Sequence, residues 1–524
     1  MKRASFVLLF LLATVAPACV PVAKQGGSGH LGGGKESAAA PVFPVTRKLP
    51  GNVTMFAASA RLDQAVQLIR DVLKPLGRAE ENADPARLDA YMRKQIGTSP
   101  ISAADLADFG FAVERNFAIY STGFLPTFVL PVADATRVNE RLGKLLQGAK
   151  LVVSEHRGLN LTVIREGNMF VAWVNTGEWL FVHIGAEGSE PSTTAWLNEI
   201  LDSKSALALQ DDLEWAWQRA EGQKDALGFV RAPALFAAAR VLDRPETHTP
   251  ACDQMNASIA SAFGRIAVSG ALAEGKADLR GFVELSPPAS SALAAHVGGV
   301  PDSAFLSLRE QAGFAISAGI DLDWVGPLAR SYQSYDCGIV PRFIKETDLD
   351  EVADPLTKEL GRRAVSSYHV ALMGGSVSFS GADVQAVAFL GVVDPGALKS
   401  LLGQLGSGQT TKVSGVDVVQ VSIPGASQPL EYTLGGGALH AAMGPGLMAK
   451  LLANTKPLSN GPSPEIMSFA VRPDKLPDLL SALQLVGGHD AEILAHWLGE
   501  YRWIRTAITS ENGGVRVVGG FELR

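Results

Sequence analysis

The residues with the sharpest metal-binding spacing are His489, Glu492 and His496, in the run GGHDAEILAHW. Spacings of three and four place two imidazoles and a carboxylate on one helix face, a donor set suited to zinc or iron. Asp490 and Glu492 also suit the positive N-terminus of a helix. The run therefore reads as a structural helix, and no metal or cofactor is assigned. A metal-dependent hydrolase using His489, Glu492 and His496 is kept as an alternative that requires the three to converge at a cleft. The acids Glu346, Asp348, Asp350, Glu351 and Asp354 lack the turn glycine of a calcium loop and read as a helix start after Thr347. No GxSxG, SxxK, HExxH or P-loop is present, so the common hydrolase and nucleotide-hydrolysing signatures are missing. No catalytic residue is assigned.

The three cysteines carry a different chemistry. Lys2 and Arg3 precede an apolar run, Phe6 to Leu12, and the small residues Ala16, Pro17 and Ala18 stand immediately before Cys19. That apolar run is too short to span a membrane. The segment resembles a bacterial lipoprotein signal, with Ala16 in place of the usual leucine. The resemblance implies lipidation of the Cys19 thiol, cleavage before it, and attachment to the cell envelope. Cys252 and Cys337 are then the expected disulfide partners in an oxidising compartment. Residues 1–18 read as signal peptide and 19–45 as a Gly/Ala-rich tether. Within that tether Gly27, Gly29 and Gly32 match GxGxxG only in spacing, with neither strand before nor helix after.

The full chain has 524 residues, 47% of them apolar and 19% charged, which supports more than one packed core. A net charge of −7 and the lack of a dense basic cluster disfavour nucleic acid as a partner. The strongest organisational signal is internal repetition. FAASARLD from Phe56 is echoed by FAISAGID from Phe314, and the strand ending at Asp134 by the strand ending at Asp394. Behind those aspartates, Val138, Leu142 and Leu145 match Leu398, Leu402 and Leu405 on one helix face. GFVRAPALF from Gly228 parallels SFAVRPDKL from Ser468, and the hairpin from Arg265 parallels that from Arg505. Asp63 with Asp321, Asp134 with Asp394, and Arg231 with Arg472 recur at strand-to-helix junctions, where capping accounts for them. Trp173, Trp179, Trp215 and Trp217 read as core or rim packing.

Two tandem homologous copies follow, over 46–287 and 300–524. Strands outnumber a simple alternation with helices, so each copy is expected to be α+β, a largely antiparallel sheet with helices packed to one side. The ordered blocks in 53–73, 104–146 (with its ADLADFG segment) and 158–201 resemble a bacterial exported family known only as a domain of unknown function. The resemblance implies an envelope protein and transfers no catalytic residue. The expected function is a non-enzymatic lipoprotein, facing the periplasm from the outer membrane through Cys19 and binding a partner or serving as a scaffold, with an envelope protein or an apolar ligand as the expected partner. A carrier of a lipid or other apolar ligand is the first alternative, ahead of the hydrolase, and it needs a contiguous apolar pocket.

Overall fold

The computed structural model describes residues 36–79, 84–167, 169–186, 193–202, 206–241, 249–297, 301–320, 365–378, 381–404, 406–453, 465–478, 480 and 495–524. The chain divides into two compact units, with the break at Ser286 and Pro287. Each is an α+β domain built on an antiparallel sheet.

In the first unit the strands are β1 Met55–Ser59, β2 Phe117–Ser121, β3 Thr127–Pro131, β4 Leu151–His156, β5 Leu159–Glu166, β6 Met169–Asn175, β7 Trp179–Ala186, β8 Ala226–Arg231, β9 Phe263–Ala273 and β10 Lys276–Leu285. Their pairings give the order β4-β5-β6-β7-β3-β2-β1-β8-β9-β10. In the second unit they are β11 Phe314–Ala318, β12 Val365–Ser378, β13 Gly381–Val392, β14 Gln409–Val413, β15 Val416–Val421, β16 Leu430–Gly435, β17 Ala438–Met443, β18 Glu465–Val471, β19 Tyr501–Glu511 and β20 Gly514–Leu523. Their order is β14-β15-β16-β17-β13-β12-β11-β18-β19-β20. Adding ten to each strand number converts one order into the other. The two units are copies of one fold.

The register corrects the first repeat block by one residue. Arg231 N–H donates to the Thr54 carbonyl and Arg472 N–H to the Gly313 carbonyl, which aligns Met55 with Phe314 and Phe56 with Ala315. Phe56 and Ala315 are both buried, whereas Phe314 is half-buried and points to the opposite face. A one-residue slip exchanges the faces of a strand, so matching FAASA to FAISA by letters superposed phenylalanines that pack on different sides.

Helices cover both faces of the first sheet, not one side as expected. On one face, called A here, α5 Thr193–Leu201 and α6 Ala206–Arg219 bury Trp196, Leu197, Leu209 and Leu213 against Phe56, Tyr120, Phe181 and Phe229. On the opposite face B, α1 Leu62–Ala79, α3 Ala103–Phe109 and α4 Ala135–Leu145 bury Leu62, Val66, Leu106, Phe109 and Val138 against Phe128 and Leu180. Burial on both sides explains why β3 reads TFVLP with no clean alternation. The remaining helices of this unit are α2 Pro85–Ile96, α7 Ala232–Val241 and α8 Pro250–Ala262.

The tether also ends earlier than residue 45. Ala39, Ala40, Phe43 and Val45 have no exposed surface, and Ala39, Phe43 and Val45 belong to the face A core. The Glu214 carboxylate accepts from Ser37 Oγ at 3.0 Å and from Ala38 N–H at 2.8 Å. Ala, Val and Phe within 38–45 supply buriable surface that the glycine-rich run before them lacks. At the other end, the helix α9 Pro287–His296 begins at the last residue given to the first copy and belongs to the second unit. The second unit continues with α10 Ser303–Gln311, α11 Pro395–Gly403 and α12 Leu447–Leu452.

Candidate functional site

In both units the side chains capable of chemistry lie in one row across face A. In the first unit the in-register row is Phe229, Phe56, Tyr120, Thr127 and His183. Its equivalent in the second unit is Ala470, Ala315, Ala371, Val387 and Ala442. There the polar groups occupy the neighbouring row, Ser468, Ser317, His369, Phe389 and His440. That row in the first unit is Leu227, Ala58, Ala118, Val129 and Phe181. The copies have exchanged which row is polar.

The first unit's site is a buried histidine among aromatics. His183 Nδ1 shares a hydrogen bond of 2.9 Å with Thr127 Oγ1, and the ring stacks on Trp196 at 5.1 Å between centroids. Burial lowers its pKa to about 4, so the imidazole is neutral. Burial also raises the Tyr120 phenol and, against a hydrogen bond from Asn52, the Glu199 carboxyl. Tyr120 Oη, Trp196 Nε1, His183 Nε2 and Glu199 Oε2 are buried without an aligned hydrogen-bond partner. Thr127 and Trp196 lie close enough to the Tyr120 hydroxyl to temper the upward shift of the phenol.

The second unit's row is clamped by α10. Asp302 caps that helix, accepting from Phe305 N–H at 2.8 Å through Oδ1, while Oδ2 lies 2.8 Å from His440 Nε2. One turn on, the Phe305 ring meets His369 and Phe389 at 5.9 and 6.3 Å. At the far end Arg309 Nη1 donates to Ser317 Oγ, Ser468 Oγ and Glu465 Oε2, the last at 2.5 Å. Residues 302, 305 and 309 lie on one helix face at i, i+3 and i+7. An Asp–His pair is half of a base-activation device, but among the described residues no hydroxyl or thiol bonds the other nitrogen of His440. The pair joins helix to sheet.

Of the junction residues, Asp134 and Asp394 act as helix caps, while Asp63 and Arg231 make ion pairs. Asp134 Oδ1 accepts from Arg137 N–H at 2.9 Å, and Asp394 Oδ1 from Gly396 and Ala397 N–H at 2.9 and 3.0 Å. Asp63 pairs with Arg61, which lowers its carboxyl pKa through that hydrogen bond. Arg231 donates to Asp212 at 2.6 Å and to the Gly51 carbonyl, and Arg472 to the Ala312 carbonyl at 3.0 Å. Asp321 and the acidic run 346–354 lie outside the described residues. Trp179 is buried, and Trp173, Trp215 and Trp217 are partly buried at the edges of the cores.

His489 and Glu492 lie outside the described residues, and His496 is exposed. Among the described residues no three His, Cys, Asp or Glu side chains gather as a metal site. Cys252 is disulfide-bonded, while Cys19 and Cys337 lie outside the described residues. A depression in the second unit, lined by Ser290, Ser291, Ala294, Ser510, Glu511 and Asn512, is open and polar, unlike an apolar carrier pocket. No helix among the described residues is long and apolar enough to cross a membrane. Sequence reading missed His183 and His440. The available signal was a histidine at a core-phase position of an apolar strand, in FVHIGA and ALHAAM.

No protein-family model matches the chain, and no curated protein matches it. Two solved structures are similar to part of it. One is crystal form III of TP0453, at 8% identity and a TM-score of 0.26, covering 49% of this chain and 88% of that one. The other is crystal form I of TP0453, at 8% identity and 0.25, covering 48% and 88%. Neither likeness carries a functional conclusion.

Proposed function

We propose that the protein is a non-enzymatic lipoprotein of the cell envelope, held by a lipid on Cys19 and presenting two copies of one domain to a protein partner. The observation that carries this reading is the disulfide at Cys252 in a chain that opens with an export-like segment ending in Cys19. Disulfides persist in oxidising compartments, which the export segment would supply. The non-enzymatic part rests on the histidines of face A, which are buried and bonded to structural groups. Outer-membrane placement follows from Val20 after the cysteine, since no acidic residue stands there.

Cells expressing the chain are labelled with radioactive palmitate and fractionated. Label in the wild-type band, lost together with membrane association in Cys19→Ser, is the expected result. A wild-type protein that stays unlabelled and soluble would refute the anchor.

A further inference from the structure

The two copies treat one sheet edge in opposite ways. β4 and β14 are equivalent edge strands, each followed by a two-residue turn whose residues both have positive φ: Arg157 and Gly158 at 51° and 78°, Ser414 and Gly415 at 52° and 83°. Counting back from those turns aligns Val152, Val153 and Glu155 with Gln409, Thr410 and Lys412. The second copy's edge is therefore polar and carries a lysine, the usual protection against strand addition. The first copy's edge reads Leu151-Val152-Val153, with exposures of 37%, 59% and 59%. Among the described residues β4 pairs with β5 alone. Its hairpin is held in place by His156 Nε2 at 2.8 Å from Asn198 Oδ1 and by Arg157 at 2.6 Å from Asp202. The open edge is thus preorganised.

We propose that β4 pairs antiparallel with β4 of a second copy of this chain. Backbone geometry restricts the register. His156 and Leu159 flank a two-residue turn and form a hydrogen-bonded pair, so Val152 and Ser154 also direct their amides toward β5. Leu151, Val153 and Glu155 direct theirs outward. Two such edges can pair only with outward residues opposite outward residues. Setting Val153 on Val153, or Ser154 on Ser154, brings Glu155 against Leu151 or Val153 and buries a charge on an aliphatic side chain. Setting Val152 on Val152 places Leu151 against Val153 twice, with no like charges opposed. In that register Lys150 of each copy stands opposite Ser154 of the other, on the same face as Val152. The occupant is a second copy because the segment is self-complementary about Val152.

The test is sedimentation equilibrium of the purified chain in a Cys19→Ser background, with cysteine scanning along β4. The expected result is a dimer whose dissociation constant rises by about ten-fold or more in Val153→Lys and in the milder Val153→Thr, which copies Thr410. Val152→Cys should cross-link to itself under mild oxidation, because a non-hydrogen-bonded pair holds its Cα atoms roughly 4.5 Å apart, within disulfide range. Val153→Cys should not cross-link, and neither should Gln409→Cys on the second copy. Circular dichroism of each variant separates lost pairing from lost folding. A wild-type monomer at all concentrations, or cross-linking through Val153→Cys in place of Val152→Cys, would overturn the proposal. The inference is independent of the lipid anchor, which the Cys19→Ser background removes.

Discussion

His183 is a base that folding keeps neutral. Its pKa of about 4 in the fold lies below the roughly 6.5 of an exposed histidine, so the unfolded chain takes up the proton first. Its contribution to stability is complete above about pH 6.5 and is lost as pH falls toward 4, by about 3 kcal/mol in total. Glu199 works in the opposite sense, because its raised pKa favours the protonated fold and offsets part of the acid loss near its own titration. Urea unfolding followed by near-UV signal from pH 7.5 to 4.5 should show a falling midpoint for the wild type. His183→Leu should be less stable at pH 7.5, having left Thr127 Oγ1 unpaired, and should show a flatter pH profile. An unchanged slope in that variant would place the acid sensitivity elsewhere. In the second unit, Asp302→Ala removes both the α10 cap and the partner of His440. Its expected cost is about 2 to 4 kcal/mol, whereas Asp302→Asn retains the cap and costs less.

The loop-to-helix junctions show how much one residue can fix at the scale of an element. Gly110 ends α3 with φ 113°, and its carbonyl accepts the N–H groups of Ala133 and Asp134. A Cβ there would stand 2.9 Å from the Asp134 carbonyl and 3.0 Å from Val138 Cγ2. Gly110→Ala therefore strains the backbone and pushes α4 from face B, at an expected cost of about 2 to 4 kcal/mol in thermal unfolding. The ADLADFG segment was visible as a pattern in the sequence, but the reason for its glycine was not, because the carbonyl it approaches lies 24 residues later. The caps were more legible. Asp134 and Asp394 precede leucine-striped helices, and the stripe buries Val138 in one copy and Leu398 and Leu402 in the other. Alanine at either aspartate should cost about 1 kcal/mol, and the two losses should add, since they lie in different units. The row exchange on face A was not legible, because period-2 alternation reports that His183 points inward and says nothing of which row it joins.

At the scale of the whole molecule, the duplication was readable because capping aspartates and helix stripes recur in the same chain order. The one-residue error at Phe314 arose because letter identity does not know which side of a strand a phenylalanine faces. The early end of the tether was missed for a related reason. A short Ala-rich stretch acquires a structural role only when α6 supplies Gln210 and Glu214 to hold Ser37. Cys252→Ser should destabilise the chain by about 2 to 5 kcal/mol under oxidising conditions and leave the reduced protein unaffected. Peptide mapping without reduction identifies its partner, expected to be Cys337. The central claim concerns where this duplicated body is held, and the mass of the N-terminal peptide of the membrane-extracted protein tests it most directly. The account predicts a peptide beginning at Cys19 and carrying a diacylglycerol and a further acyl chain. An unmodified Cys19 thiol, or a mature terminus at any other residue, would contradict it.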